Sequence, residues 1–164
     1  MRFECLKMPA ATTCPALGAH SVRPGEVVFA VWSKSATRMV LELFERAMGQ
    51  EAVFSCAMTR HPGSEVWCAH VRGVHEGALY GLRAWGPNWP YDPAWRPGNS
   101  AAGFLKDVDA HGHRFNPNKL LFDPYARELT HDRDGPHLAA QGHTISIFAT
   151  GGEGYQYVDG SRIR

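Results

Sequence analysis

The stretch "GEVVFAVWSKSATRMVLELFERAM", residues 25–48, decides the fold. In its first half Val27, Phe29 and Val31 alternate with Val28, Ala30 and Trp32, so both faces are apolar, as in a strand buried on two sides. The second half fits two periods. A helix would gather Val40, Leu43, Phe44 and Ala47 on one face, and a strand would align Met39, Leu41 and Leu43. Periodicity alone leaves 39–44 open.

The neighbouring segments tip the balance of the whole. "AVFSCAM" (52–58) and "VWCAHVRG" (66–73) flank "TRHPGSE", where Pro62, Gly63 and Ser64 supply turn chemistry for a hairpin. "GALYGLRAW" (77–85) reads as a further strand. Short β segments divided by turn residues predict an all-β fold, a β-sandwich. Trp32, Leu41, Leu43, Trp67 and Tyr80 are expected in or beside its core. Residues 1–16 mix Pro, Ala, Thr and Cys without period and read as an N-terminal arm. Residues 17–129 form the expected packed unit, and 130–164, polar and Gly-rich apart from "TISIFAT", read as a mobile linker.

The totals exclude several classes. The 164 residues carry 17 Lys and Arg against 16 Asp and Glu, a net charge of +1, which gives no electrostatic case for nucleic acid. No apolar run reaches the roughly 18–20 residues of a membrane span. The start lacks a long apolar run of the secretory kind, so a cytoplasmic protein is expected. Cys5, Cys14, Cys56 and Cys68 show no C-x-x-C spacing; their even count allows two disulfides, but without an export signal reduced thiols are expected. No G-x-S-x-G elbow, Walker loop, H-E-x-x-H or post-strand G-x-G-x-x-G occurs, and spacing singles out no carboxylate pair for glycoside chemistry.

Two segments invite a functional reading. "WGPNWPYDPAWRPG" (85–98) puts three of the five Trp into fourteen residues that Pro keeps out of helices and central strands. It opens an irregular stretch that runs to Asn118, of a length that tends to be functional. Its rings, Trp85, Trp89, Tyr91 and Trp95, suit stacking on sugars, anchoring a protein partner, or folding back onto the core. "DVDAHGHRF" (107–115) holds Asp107, Asp109 and Gly112 in the D-x-D-x-x-G order of half a calcium loop. His111 stands at its fifth position and Asn118 at its twelfth, so it reads as a polar turn, with a weak calcium site as the alternative.

Taken together, "LGAH" (17–20), "VVFAVWSKSATRMVLELF" (27–44), "VWCAHV" (66–71), "YGLRAWGPNWPYDPAW" (80–95), "GFLKDVDAHGHRFNPNKLLFDPYARE" (103–128) and "YQYVDG" (155–160) resemble the N-terminal region of isoamylase-type glycogen debranching enzymes. These belong to glycoside hydrolase family 13, and "RFNPNKLLFDPYA" is the most specific piece. The resemblance implies an immunoglobulin-like β-sandwich of carbohydrate-binding module family 48, preceding a (β/α)8 barrel that cleaves α-1,6 branches. It implies a strand at 39–44, and an aromatic loop lying against the barrel or its substrate cleft. The family's catalytic carboxylates belong to that barrel, so no catalytic residue carries over and the chain alone is expected not to be an enzyme. The implied partners are α-glucan (glycogen, amylopectin) and the barrel of the same enzyme. The alternative is a stand-alone, weak α-glucan-binding protein. No cofactor is implied beyond the weak calcium site.

Overall fold

A computed structural model describes residues 2–8, 13–45, 51–98 and 100–126, and the backbone of 129–130 and 146–148. Its strands are β1 (Glu4–Leu6), β2 (Gly18–Arg23), β3 (Glu26–Trp32), β4 (Arg38–Phe44), β5 (Phe54–Ala57), β6 (Thr59–Arg60), β7 (Val66–Arg72), β8 (Leu79–Trp85), β9 (Leu129–Thr130) and β10 (Ser146–Phe148). One sheet has the order β1-β7-β3-β2, with β6 also on β7. The other runs β5-β4-β8-β10-β9 and is antiparallel except at β10, which lies parallel to β8 and β9. The fold is therefore the predicted all-β sandwich. Among the described residues no helix is long and apolar enough to cross a membrane.

The ambiguous segment is a strand. Met39, Leu41 and Leu43 are all 0% exposed and face the inter-sheet core, with Phe29, Trp67, Val71 and Tyr80. The helical face fails because Val40 and Phe44 point to the opposite side of the sheet, where other chain segments cover them. Phe44 packs with Leu79 and Leu120, and Val40 with the tryptophans of the loop. Both faces of β4 are thus apolar, which is why two periods fit it. Trp67 is buried, and its indole N–H donates to the Ser33 carbonyl at 3.1 Å. Trp32, expected in or beside the core, ends β3 on the outward face and is 43% exposed. At the strand's end the alternation continues onto the outward face, where Trp32 is left partly exposed.

The outer face of the first sheet explains the arm. Ala30, Val66 and Cys68 form an apolar patch there, covered in part by Met8 and Leu17. The arm is not a separate tail. Its residues Glu4–Leu6 are β1, in register with β7 from Glu4↔Arg72 to Leu6↔His70. The expectation of reduced thiols is corrected for one pair: Cys5 on β1 is bridged to Cys56 on β5, with Cα atoms 6.2 Å apart, joining the two sheets. Cys14 is free and exposed. Cys68 is free and buried, and burial pushes its thiol up to about 11. In the expected linker, part of "TISIFAT" is β10, inserted beside β8. Apart from Thr130, which ends β9, the rest of that linker, and its expected mobility, lie outside the described residues.

Candidate functional site

The aromatic loop begins where β8 ends. Gly86 and Trp89 exchange backbone hydrogen bonds of 3.1 and 3.0 Å around Pro87 and Asn88, a tight two-residue turn. Gly86 is required by packing: a Cβ there would enter the ring of Phe115. The turn buries Asn88 to 1% exposure. Its amide N–H2 donates to the carbonyls of Phe115 (2.9 Å), Lys106 (3.1 Å) and Asp107 (3.3 Å), and its side-chain oxygen accepts from the Phe115 N–H at 2.9 Å. Asn88 therefore stands in for the strand partner that an irregular loop lacks. Asn118 acts similarly. Its oxygen accepts from the Trp95 indole at 3.1 Å and the Ser100 N–H at 3.3 Å, and its amide donates to the Ser100 carbonyl at 2.7 Å.

These two amides hold the rings together. Trp85, Trp89 and Trp95 are 1%, 6% and 7% exposed and form a small core of their own with Val40 and Ala102. Trp85 meets Trp95 edge-on at 5.1 Å and Tyr91 at 5.4 Å. Such contacts are preferred because each ring's electropositive edge faces its neighbour's electron-rich face. The Arg38 guanidinium lies 4.0 Å from the Tyr91 centroid. Beneath them Arg83 Nε donates to Glu42 Oε1 at 2.8 Å, and its NH1 donates to the Pro117 carbonyl at 2.9 Å, linking sheet to loop.

The structure brings together the four residues singled out for sugar stacking, but only Tyr91, 41% exposed, offers its ring to solvent. The three tryptophans take the core-capping role that was the competing reading of the loop. Beyond these four residues the loop exposes Phe104, whose ring meets Trp89 edge-on at 4.8 Å, together with Leu105 and Val108, at 41%, 62% and 41%. Sequence reasoning missed Asn88, Asn118 and the Glu42–Arg83 pair. The Pro-Asn dipeptide signals a turn, but nothing local signals which distant carbonyls the amide reaches.

Asp107 and Asp109 do not converge with other ligands: among the described residues no cluster of three His, Cys, Asp or Glu is arranged to hold a metal. The Asp109 carboxylate is already occupied. Oδ1 accepts from the N–H groups of His111 and His113, both at 2.9 Å, and Oδ2 meets His113 Nδ1 at 2.7 Å. Burial works to raise the Asp109 carboxyl, but the His113 side chain and the two backbone donors hold it below its usual range. His113 Nε2 lies 3.1 Å from Ser35 Oγ, so the polar turn straps the loop to the β3–β4 connection.

Known proteins resemble this chain in sequence. Residues 16–126 match the family described as "Carbohydrate-binding module 48 (Isoamylase N-terminal domain)". The chain is 42% identical over 162 residues to an isoamylase of Flavobacterium sp, covering 91% of this chain and 20% of that protein. It is 42% identical over 151 residues to an isoamylase of Pseudomonas amyloderamosa, covering 87% of this chain and 19% of that one. It thus spans about one fifth of the length of these curated relatives. Among solved structures, a pullulanase of Anoxybacillus sp. LM18-11 complexed with maltotriose aligns with TM-score 0.46 and 19% identity, over 84% of this chain and 14% of that one. The chain belongs to the carbohydrate-binding module 48 family, in the form of the isoamylase N-terminal domain.

Proposed function

We propose that this chain is the non-catalytic N-terminal module of an α-1,6-debranching enzyme, one that places branched α-glucan and supports a catalytic barrel. The family match across residues 16–126 carries this reading, together with isoamylase relatives about five times its length. The loop supports it physically. Phe104, Leu105 and Val108, with the half-exposed Tyr91, put large apolar groups on one irregular segment, and apolar surface of this kind marks an interaction site. The catalytic barrel seats on this face. The buried tryptophans beneath hold the face in shape rather than touching the partner themselves.

Two measurements on the purified chain test the reading. It releases no reducing sugar from pullulan, glycogen or amylopectin, and glycogen cast into a native gel retards it. Hydrolysis above a blank, or free migration through glycogen, overturns the proposal. Docking is tested in the full-length enzyme: Leu105→Asp there weakens the contact, read as exposure of the domain junction to protease. Unchanged protection would move the barrel to another face.

A further inference from the structure

We infer that a pyranose end of an α-glucan chain binds not on the aromatic loop but in the cavity at the mouth of the sandwich, against Tyr125, His20, Ser21 and His75. The inference rests on the α-glucan reading above and assigns it a place.

The cavity has a volume of about 460 Å³ and is lined by the start of the β2–β3 pair, the β7–β8 connection and the segment around Tyr125. That is within the usual ~300–1,000 Å³ of small-ligand sites. Its floor is rigid. Tyr80, 1% exposed, donates its hydroxyl to Asp123 Oδ2 at 2.7 Å, and Asp123 Oδ1 accepts the Tyr125 N–H at 2.8 Å. A buried carboxylate therefore fixes the backbone that presents Tyr125. The Tyr125 side chain is 58% exposed, a ring open to solvent of the kind the buried tryptophans do not provide.

The polar groups are oriented too. His20 Nε2 lies 2.7 Å from the Leu17 carbonyl. A carbonyl only accepts, so that nitrogen carries the hydrogen, and in the neutral ring Nδ1 is left as an acceptor. By the same argument His75 Nδ1 donates to the Glu76 carbonyl at 2.8 Å and leaves Nε2 as an acceptor. Ser21 Oγ donates to the Arg23 carbonyl at 3.2 Å and keeps its lone pairs. No Lys or Arg lines the cavity, so it is not built for an anion, and the one acidic residue in the lining, Glu76, adds carboxylate acceptors for hydroxyl donors. Fixed acceptors beside an open aromatic ring suit a neutral ligand with several hydroxyl donors and an apolar C–H face. A pyranose has both.

The test uses the whole 164-residue chain. Maltotriose is titrated against the 15N-labelled protein. Amide shifts are expected at Ser21, Gly25, His75 and Tyr125, with Tyr125→Ala and His75→Ala each weakening binding roughly tenfold, as loss of a central contact does. Both residues lie at the surface end of the cavity, and an unchanged thermal unfolding midpoint verifies that the variants fold. Shifts centred on residues 89–105, with both variants binding like wild type, overturn the site and leave the α-glucan reading intact. No shift with maltotriose and no retardation by glycogen overturn both.

Discussion

Met39, Leu41 and Leu43 between the sheets, and Trp85, Trp89 and Trp95 outside them, are all buried. They get there by different physics. The first group sits on a strand whose period of two sends alternate side chains inward, and β4 finds hydrogen-bond partners in β5 and β8 along its length. The second group is on a ladder only at Trp85, the last residue of β8, which pairs with Arg38. Its backbone is satisfied by turns and by two side-chain amides, Asn88 and Asn118, each serving several partners. In the core, cohesion is spread over many apolar contacts. In the loop it is concentrated in a few polar groups, so a small change at one of them has long reach within the loop and little beyond it.

The largest effect belongs on the core side of this comparison. Trp67→Ala is expected to cost about 3–5 kcal/mol, as large-to-small changes in packed cores do, and urea unfolding should show the whole sandwich shifting together. A cost near zero would mean that core cohesion is not distributed as described. Next comes the bridge between the sheets. Cys5→Ser opens a cross-link between residues 51 apart in sequence, worth about 4 kcal/mol in the chain-entropy account. Its loss should lower the denaturation midpoint of oxidised protein and leave reduced protein unchanged. A cytoplasmic setting would keep the pair reduced, so a count of free thiols in protein taken directly from cells, two or four, also decides where the bridge matters.

Asn88→Ala should act on the loop. It strips partners from buried carbonyls at about 1–3 kcal/mol for each group left unsatisfied. Hydrogen exchange should accelerate at 102–118 while β3, β4 and β7 keep their protection. Acceleration everywhere would break the distinction between the two regions. The smallest effect is in pH dependence, where the regions have opposite signs. Asp123, beneath the sandwich mouth, has its carboxyl raised by burial, with the Tyr125 N–H and Tyr80 hydroxyl working the other way. Its contribution is complete below the unfolded value of about 4 and is lost as pH rises through the folded value. Asp109 in the loop is lowered. Its contribution is present above about 4 and is lost as pH falls through its folded value. In stability measured against pH, Asp123→Asn should flatten the decline above pH 4, and Asp109→Asn the decline below it. Matching changes from the two variants would sink the assignment.

Much of the sandwich was legible because strands wrote their faces into the sequence. Val27, Phe29 and Val31 point inward as the alternation requires, and Trp67 and Tyr80 are in the core. Legibility failed where a second layer covers the first. The outward Val40 and Phe44 are apolar because loop residues pack on them, so 39–44 resembled a helix as much as a strand. The three residues of β1 are too few to show a period, and the Cys5–Cys56 pairing depends on how two sheets stack, which spacing does not encode. At the candidate site, sequence located the aromatic cluster but not its depth. Exposure of a ring on an irregular loop depends on distant amides, and the aromatic beside the open cavity, Tyr125, stands in a Pro-containing segment without a period that would tell its exposure.

The insertion of β10 beside β8 bears on where this module can be cut. The family match stops at residue 126, yet Leu79 and Tyr80 on β8 have Ser146 and Ile147 as their partners. A chain trimmed to the match would leave that end of β8 as an open edge, free to recruit a second molecule through its unsatisfied N–H and C=O groups. Sedimentation should find such a fragment associating where the 164-residue chain does not. The unit that the family match bounds and the colloidally stable unit would then have different ends, and a segment outside the match would be the one that keeps the module apart from its own copies.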